Sequence, residues 1–394
     1  MTVEHFLPFR KSAVISLCAG EVPEAERESF LEFARLLAAL VHYRFHRRGD
    51  AVLDAYQLVD PAQDVRNIGT ASAANQAAAR EAVERELVAL TEAADFARID
   101  ASEIAQAFAE HALVKVRLEV DDTDIDTVMF FRRGVSQRTE QVKWLYGLRR
   151  RSIEFTSYSK VLVYVAFKDH VLLKLFQNVP ANDLEMLYPS VRVRMRPLDK
   201  LLIGVPAVIS GIIVLVTKLV ASLGLLILLA AFWLGLRDES VRLDQTALVT
   251  LGAGIAAFTG YLVRQFSKFK NRKIKLMKTV AEHLYFRNLD NGPGVFHHLL
   301  DAAEESEVKE TLLAYHFLHT ADHPMTAPEL DKRIEEWFHH HWNTTFDFQI
   351  SPGLAALTDL GLLTEDEHGT LTVPPLPEAR RRLDDQWDNA FRSA

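Results

Sequence analysis

Between Leu201 and Leu236 the chain carries one charged side chain, Lys218. This run of 36 residues would reach about 54 Å as a single helix, far more than the ~30 Å hydrocarbon core of a bilayer. Gly204, Pro206 and Gly211 break its first part, so a first span is expected at about 211–236. A second uncharged run, Thr246–Val263, has 18 residues and would extend about 27 Å, enough to cross. The connector RDESVRLDQ between them is mildly acidic. The expectation is an α+β membrane protein built on a transmembrane helical hairpin at 200–264.

The flanks give an orientation. Arg192, Arg194, Arg196 and Lys200 precede the first run, and Arg264, Lys268, Lys270, Arg272, Lys273, Lys275 and Lys278 follow the second. Basic residues beside spans favour the cytoplasmic side. Both termini are therefore expected in the cytoplasm of a multi-pass protein of the bacterial inner membrane. The N-terminus lacks the basic start, apolar run and cleavage site of a signal peptide. Lys218 stands out as an intramembrane charge, which snorkelling at an interface would also explain. Gly252, Ala256 and Gly260 recur every fourth residue, a spacing that lets two helices approach closely. Their expected partner is the first span or another protomer.

The regions on either side differ in texture. Residues 24–46 show helical spacing through Phe30, Phe33, Leu37, Leu40, Val41 and Phe45. Short helices are expected at 50–58, 73–96 and 101–111, giving a helical N-terminal region over 1–111. VKVRLEV, TVMFFRR, SIEFTSY, KVLVYVAFK and VLLKLF are rich in β-branched and aromatic residues. They predict a β-rich subdomain over 112–199 with a turn at Lys168-Asp169-His170. Residues 265–300 read as basic juxtamembrane and linker helices, with a turn at 290–294 between two of them. The cations of 264–278 are candidate contacts for anionic lipid headgroups.

Residues 301–394 hold 7 Lys and Arg against 19 Asp and Glu, a net of −12. Helices are expected at 303–320, 326–338 and 350–362, then a hairpin tipped by His368-Gly369 and a last helix at 380–391. That order is winged-helix-like. The helix that would enter a DNA groove, SPGLAALTDLGLL, has no Lys or Arg, and DNA is a polyanion. No nucleic-acid partner is expected; a protein partner or a homo-oligomer is.

The residues offer little chemistry. Cys18 is the sole cysteine, which excludes an internal disulfide and a zinc site using two cysteines; it is expected to be a buried apolar side chain. His316, His319 and His323 could share a helical face, His297-His298 and His339–His341 are clustered, and Asp121, Asp122, Asp124 and Asp126 form an acidic run. None has the convergence of a zinc or calcium site. HExxH, GxSxG and Walker A motifs are absent. No cofactor, metal or catalytic residue is expected.

FLPFRKSAVI (6–15), FHRRGDAVLDAYQLVDP (45–61), TEAADFARI (91–99), MFFRRG (129–134), LKLFQNVPANDLEMLYP (173–189), the 270–318 segment and the tail together resemble a family of uncharacterised two-span membrane proteins. That family occurs in bacteria, plastids and mitochondria and shares a domain of unknown function. The resemblance implies two spans and supplies no reaction. The functional expectation is a membrane-anchored scaffold or regulatory protein, with an oligomeric transport or channel component as the alternative.

Overall fold

A computed structural model of the chain describes residues 5–62, 72–100, 102–104, 117–120, 124–144, 149–188, 191–194, 208–209, 212–213, 220–236, 245–343 and 347–391. It divides into two compact units. One comprises 1–110, 122–187 and 287–394, and the other 111–121 and 188–286.

The first unit is built on helices α1 (Lys11–Glu21), α2 (Arg27–Gln57) and α3 (Ala73–Ala93). The helix expected at 50–58 is the continuation of α2 through Gly49. A Cβ at Gly49 would meet Leu300 Cδ1 at 2.7 Å, so the missing side chain lets a second helix lie close. Strands β1 (Ala97–Arg98), β3 (Ile125–Trp144), β4 (Arg149–Phe167), β5 (Val171–Pro180) and β7 (Asn288–Asn291) form an antiparallel sheet in the order β1-β3-β4-β5-β7. β2 (Arg117–Val120) and β6 (Val191–Arg194) pair separately in the second unit.

The period of two along β4 sends Leu162, Tyr164 and Ala166 into the main core and Val161, Val163 and Val165 to the other face, and all six are buried. The 3₁₀ turn Ala181–Leu187, with Leu184, Met186 and Leu187 buried, follows β5 and packs against β4 and β5. The turn expected at 290–294 does connect two helices, but a short strand precedes it. Asn288–Asn291 extend the sheet edge beside β5, and Gly292, at φ +54°, turns the chain into the next helix while its N–H donates to Leu173 O.

That helix, α6 (Pro293–His319), is the spine of the unit; Val295, Phe296, Leu299, Val308, Leu312, Leu313 and Tyr315 are fully buried along it. After it come β8 (Met325–Thr326), α7 (Ala327–Trp342), α8 (Ile350–Asp359), β9 (Thr364–Glu365), β10 (Thr370–Thr372) and α9 (Leu376–Asn389). The small sheet runs β8-β10-β9, a helix–strand–helix–helix–hairpin order of winged-helix type. Thr326 and Glu329 form a capping box at the start of α7. α9 lies along α2, and α6 touches α1, α2 and α3. The N-terminal helices and the acidic tail thus share one hydrophobic core.

In the second unit, α4 covers Val220–Trp233 and α5 covers Gln245–Arg287, its last residue falling in the first unit. Here the membrane reading is corrected. The described part of α4, Val220–Trp233, has 14 residues, about 21 Å of helix. The second apolar run does not stand alone but is the front of a 43-residue helix that continues through the basic stretch. Among the described residues no helix is long and apolar enough to cross a membrane. The transmembrane hairpin with spans at 211–236 and 246–263, the multi-pass inner-membrane placement, the topology built on it and the channel alternative all lose their basis. The fold is α+β.

Candidate functional site

A seam of ionisable groups joins α6 to the N-terminal segment, α2 and α3. The Lys11 ammonium donates to Glu304 at 2.7 Å, and the Lys11 backbone N–H donates to Glu305 at 3.0 Å. His42 Nδ1 lies 2.7 Å from the other oxygen of Glu304. Burial alone would raise the Glu304 carboxyl, but the Lys11 and His42 contacts outweigh it and hold it below its ordinary value. Arg44 pairs with Glu307, and Arg48 with Glu86 on α3.

Deeper in the seam, Lys309 is 3% exposed and Ser306 is 2% exposed. Lys309 Nζ donates to Leu7 O at 3.0 Å and sits 5.4 Å from the Phe6 ring centre. Arg133 stacks over Phe6 and Phe96 at 4.4 and 4.9 Å. Burial lowers the Lys309 ammonium against the pull of Glu305 and Asp95, and burial raises Asp95. Glu310 is pushed up to about 8 by burial and by Asp95. A raised carboxyl beside a lowered lysine is the raw material of proton transfer. Here Lys309 and Asp95 are spent on fastening the Leu7 and Asp95 turns to α6.

The histidines serve the same packing. His316, 1% exposed, faces Glu21 at 3.2 Å and Phe30 at 5.7 Å, and burial lowers its pKa. His319 lies 3.3 Å from Glu26 and stacks on Tyr315, whereas His323 is exposed past the end of α6. His298 is 3.4 Å from Asp290, and His341 Nδ1 contacts Trp337 O. Asp126 pairs with Arg80 and Asp124 with Lys168; Asp121 and Asp122 lie outside the described residues. Among the described residues, no group of three His, Cys, Asp or Glu could hold a metal ion. Cys18 is fully buried, and its thiol is pushed up to about 12 by burial first and by Glu21.

The other notable surface is α5. Gly252, Ala256 and Gly260 are exposed on it, and a Cβ added at either glycine meets nothing within 4 Å. Leu248, Val249, Ile255, Leu262, Val263 and Phe266 are exposed beside them. The four-residue row runs on through Arg264, Lys268 and Arg272, so one ridge is small at its front and basic behind. Arg264, Lys268, Lys270, Lys275 and Lys278 are exposed, with Lys278 3.5 Å from Glu282. Arg272 and Lys273 belong to the same helix. Lys218 lies outside the described residues.

Sequence reasoning missed the seam. Its trace was present in EESEVKE, where Ser306 and Lys309 fall at the core-facing spacing of an otherwise apolar helix.

In class the chain is an α+β protein with a two-sided antiparallel sheet and a winged-helix-type tail. A family model described as a protein of unknown function (DUF3754) matches residues 137–294. The match runs from the second half of β3 through α5 to the start of α6, narrower than the near-whole-chain resemblance read from the sequence. No solved structure matches the chain.

Proposed function

We propose that the chain is a scaffold or regulatory protein with no reaction of its own, and that it works by pairing with a second copy of itself along α5. The carrying observation is the open row Gly252, Ala256 and Gly260, flanked by exposed apolar side chains on a helix of 43 residues. Contiguous apolar surface of this kind marks an interaction site. Small residues every fourth position let a second helix seat closely.

A second copy fits for reasons of symmetry and charge. The row reads the same in both directions about Ala256, so a two-fold antiparallel pair sets Gly252 against Gly260 of the partner subunit. Parallel pairing would lay two basic stretches side by side and repel. In the antiparallel pair, residue 267 of one copy falls level with residue 245 of the other. The cations from Lys268 onward then project beyond the contact. The inward ties of Lys309, Asp95 and His316 support the absence of a reaction.

Oxidative crosslinking tests the pairing, because Cys18 is buried and is the only native cysteine. Ala256→Cys in the full chain should give a disulfide-linked dimer on a non-reducing gel. Gln265→Cys lies nine residues on, half a turn round the helix, and should not. Equal crosslinking at both positions, or none at 256, overturns the proposal.

A further inference from the structure

We infer that a groove beside α2 binds a small organic phosphate whose body carries a ring. The groove has a volume of about 490 Å³ and lies between the second half of α2 and the ends of α8 and α9. Small-molecule sites usually fall at about 300–1,000 Å³.

One wall is cationic. Arg44, Arg47 and Arg48 line it, and their i, i+3, i+4 spacing puts them on one face of α2. Arg44 is anchored by Glu307 and Arg48 by Glu86. A guanidinium has five N–H donors, so anchoring one edge leaves others to face the groove and fixes where they point. Arg47 is exposed and has no ion pair among the described residues. Asp359 is the one carboxylate in the lining, while Glu307 and Glu86 already balance Arg44 and Arg48, which leaves Arg47 as the lining cation not held in an ion pair. Burial and the neighbouring Arg48 lower the Arg44 guanidinium despite Asp359, a cost that a bound anion would relieve. Forked guanidiniums match the several oxygens of a phosphate better than a single carboxylate.

The remaining lining sets the body of the ligand. Leu40, Val41 and Leu360 form an apolar floor. Tyr43 stands at the side, its ring held 5.0 Å from Phe391 and 6.3 Å from Trp387. Gln386 donates to Leu360 O at 2.9 Å and holds the end of α8 against α9. A ring fits between this aromatic edge and the aliphatic floor, with its phosphate turned to the arginines.

The test uses the full chain and titration calorimetry at physiological salt, with phenyl phosphate, inorganic phosphate and hexyl phosphate as probes. Phenyl phosphate should bind saturably, about tenfold or more tighter than either of the others. Arg47→Gln should weaken it by about tenfold, the scale of one charge-assisted hydrogen bond, with an unchanged melting temperature. Lys332→Gln, at an exposed position on α7, should bind as the parent does. Absent binding, or unaltered affinity in Arg47→Gln, overturns the site. Inorganic phosphate binding as tightly as phenyl phosphate overturns the ring-bearing body. Hexyl phosphate binding more tightly does the same and points instead to a lipid-like source.

Discussion

Ser306 Oγ donates a 2.5 Å hydrogen bond to Asp95 Oδ2, joining the middle of α6 to the turn that ends α3. Asp95 holds a left-handed backbone, φ +58°, and its carboxyl is raised by burial while Ser306, Lys309 and Arg133 pull it down. The bond therefore offsets part of a desolvation cost and pins a strained turn. Ser306→Ala leaves the carboxylate short of a donor in a buried site. It should cost about 1–3 kcal/mol, read as a lower denaturant midpoint with an unchanged slope.

Glu310 gives the stability a pH dependence. Its carboxyl is pushed up to about 8, whereas in the unfolded chain it titrates near 4.3. Between those values the folded state holds a proton that the unfolded state has released, so stability falls as pH rises through the window. The slope from one such group is at most about 1.4 kcal/mol per pH unit. Glu310→Gln should flatten the decline between about pH 5 and 8 in denaturation series. Asp95 shifts in the same direction, so a smaller slope should remain. A variant with the parent's slope would remove Glu310 from this role.

Local pattern made the elements legible and tertiary contact decided the rest. Phe30, Phe33, Leu37 and Val41 announce α2 by their spacing, but nothing local shows that Gly49 continues the helix. That follows from Leu300, about 250 residues away in sequence, needing the space. Asn288–Asn291 have no strand propensity and become β7 because β5 offers an open edge. The apolar run at 246–263 looked self-contained because hydropathy does not mark where a helix ends. α5 continues unbroken through Arg264 and Lys268. At the candidate surface, the small-residue row was legible, whereas the Arg44 groove needed α8 and α9 folded back on α2.

Gly134 lies in β3 at φ +75°, between the pairs Arg133–Lys160 and Val135–Tyr158. A Cβ there would collide with the Ser159 side chain. Gly134→Ala meets both a disfavoured backbone and a blocked neighbour, so it should cost about 1–3 kcal/mol. Ser159→Gly in the same chain should restore part of that loss by removing the collision. No restoration would mean that the backbone conformation carries the whole effect.

DNA binding by the winged-helix-type tail should be absent. α8, at the groove-entering position of such folds, has no Lys or Arg in ISPGLAALTD. The residues from 301 onward carry a net of −12, which repels a polyanion. The full chain should leave duplex DNA unshifted at physiological salt in a gel assay. A micromolar shift that weakens with added salt would contradict the charge argument.

The segment 301–394 should not fold when expressed alone, although its element order resembles that of an independent module. Phe33 on α2 and Tyr315 on α6 pack with ring centres 4.2 Å apart, and both are fully buried. Phe9 stacks on Phe338 of α7 at 5.2 Å. Glu21 of α1 accepts from Trp337 Nε1 at 2.7 Å and faces His316 as well. Arg380 of α9 pairs with Glu32 of α2 at 2.5 Å. Cutting before residue 301 removes every one of these partners and divides α6 itself, taking Val295, Phe296 and Leu299 from its buried face. The fragment would expose the inward sides of Tyr315 and Phe338 together, and each large aromatic left uncovered forfeits about 1.5–3 kcal/mol of burial. Two such losses amount to about 3–6 kcal/mol, a large share of the ~5–15 kcal/mol that holds an ordinary domain folded. Circular dichroism of 301–394 should show little helix and no cooperative melt. Co-expression with 1–110 and 122–300 supplied as one linked chain should recover part of it. A cooperative melt of the isolated fragment near that of the full chain would show that the tail is a domain in its own right.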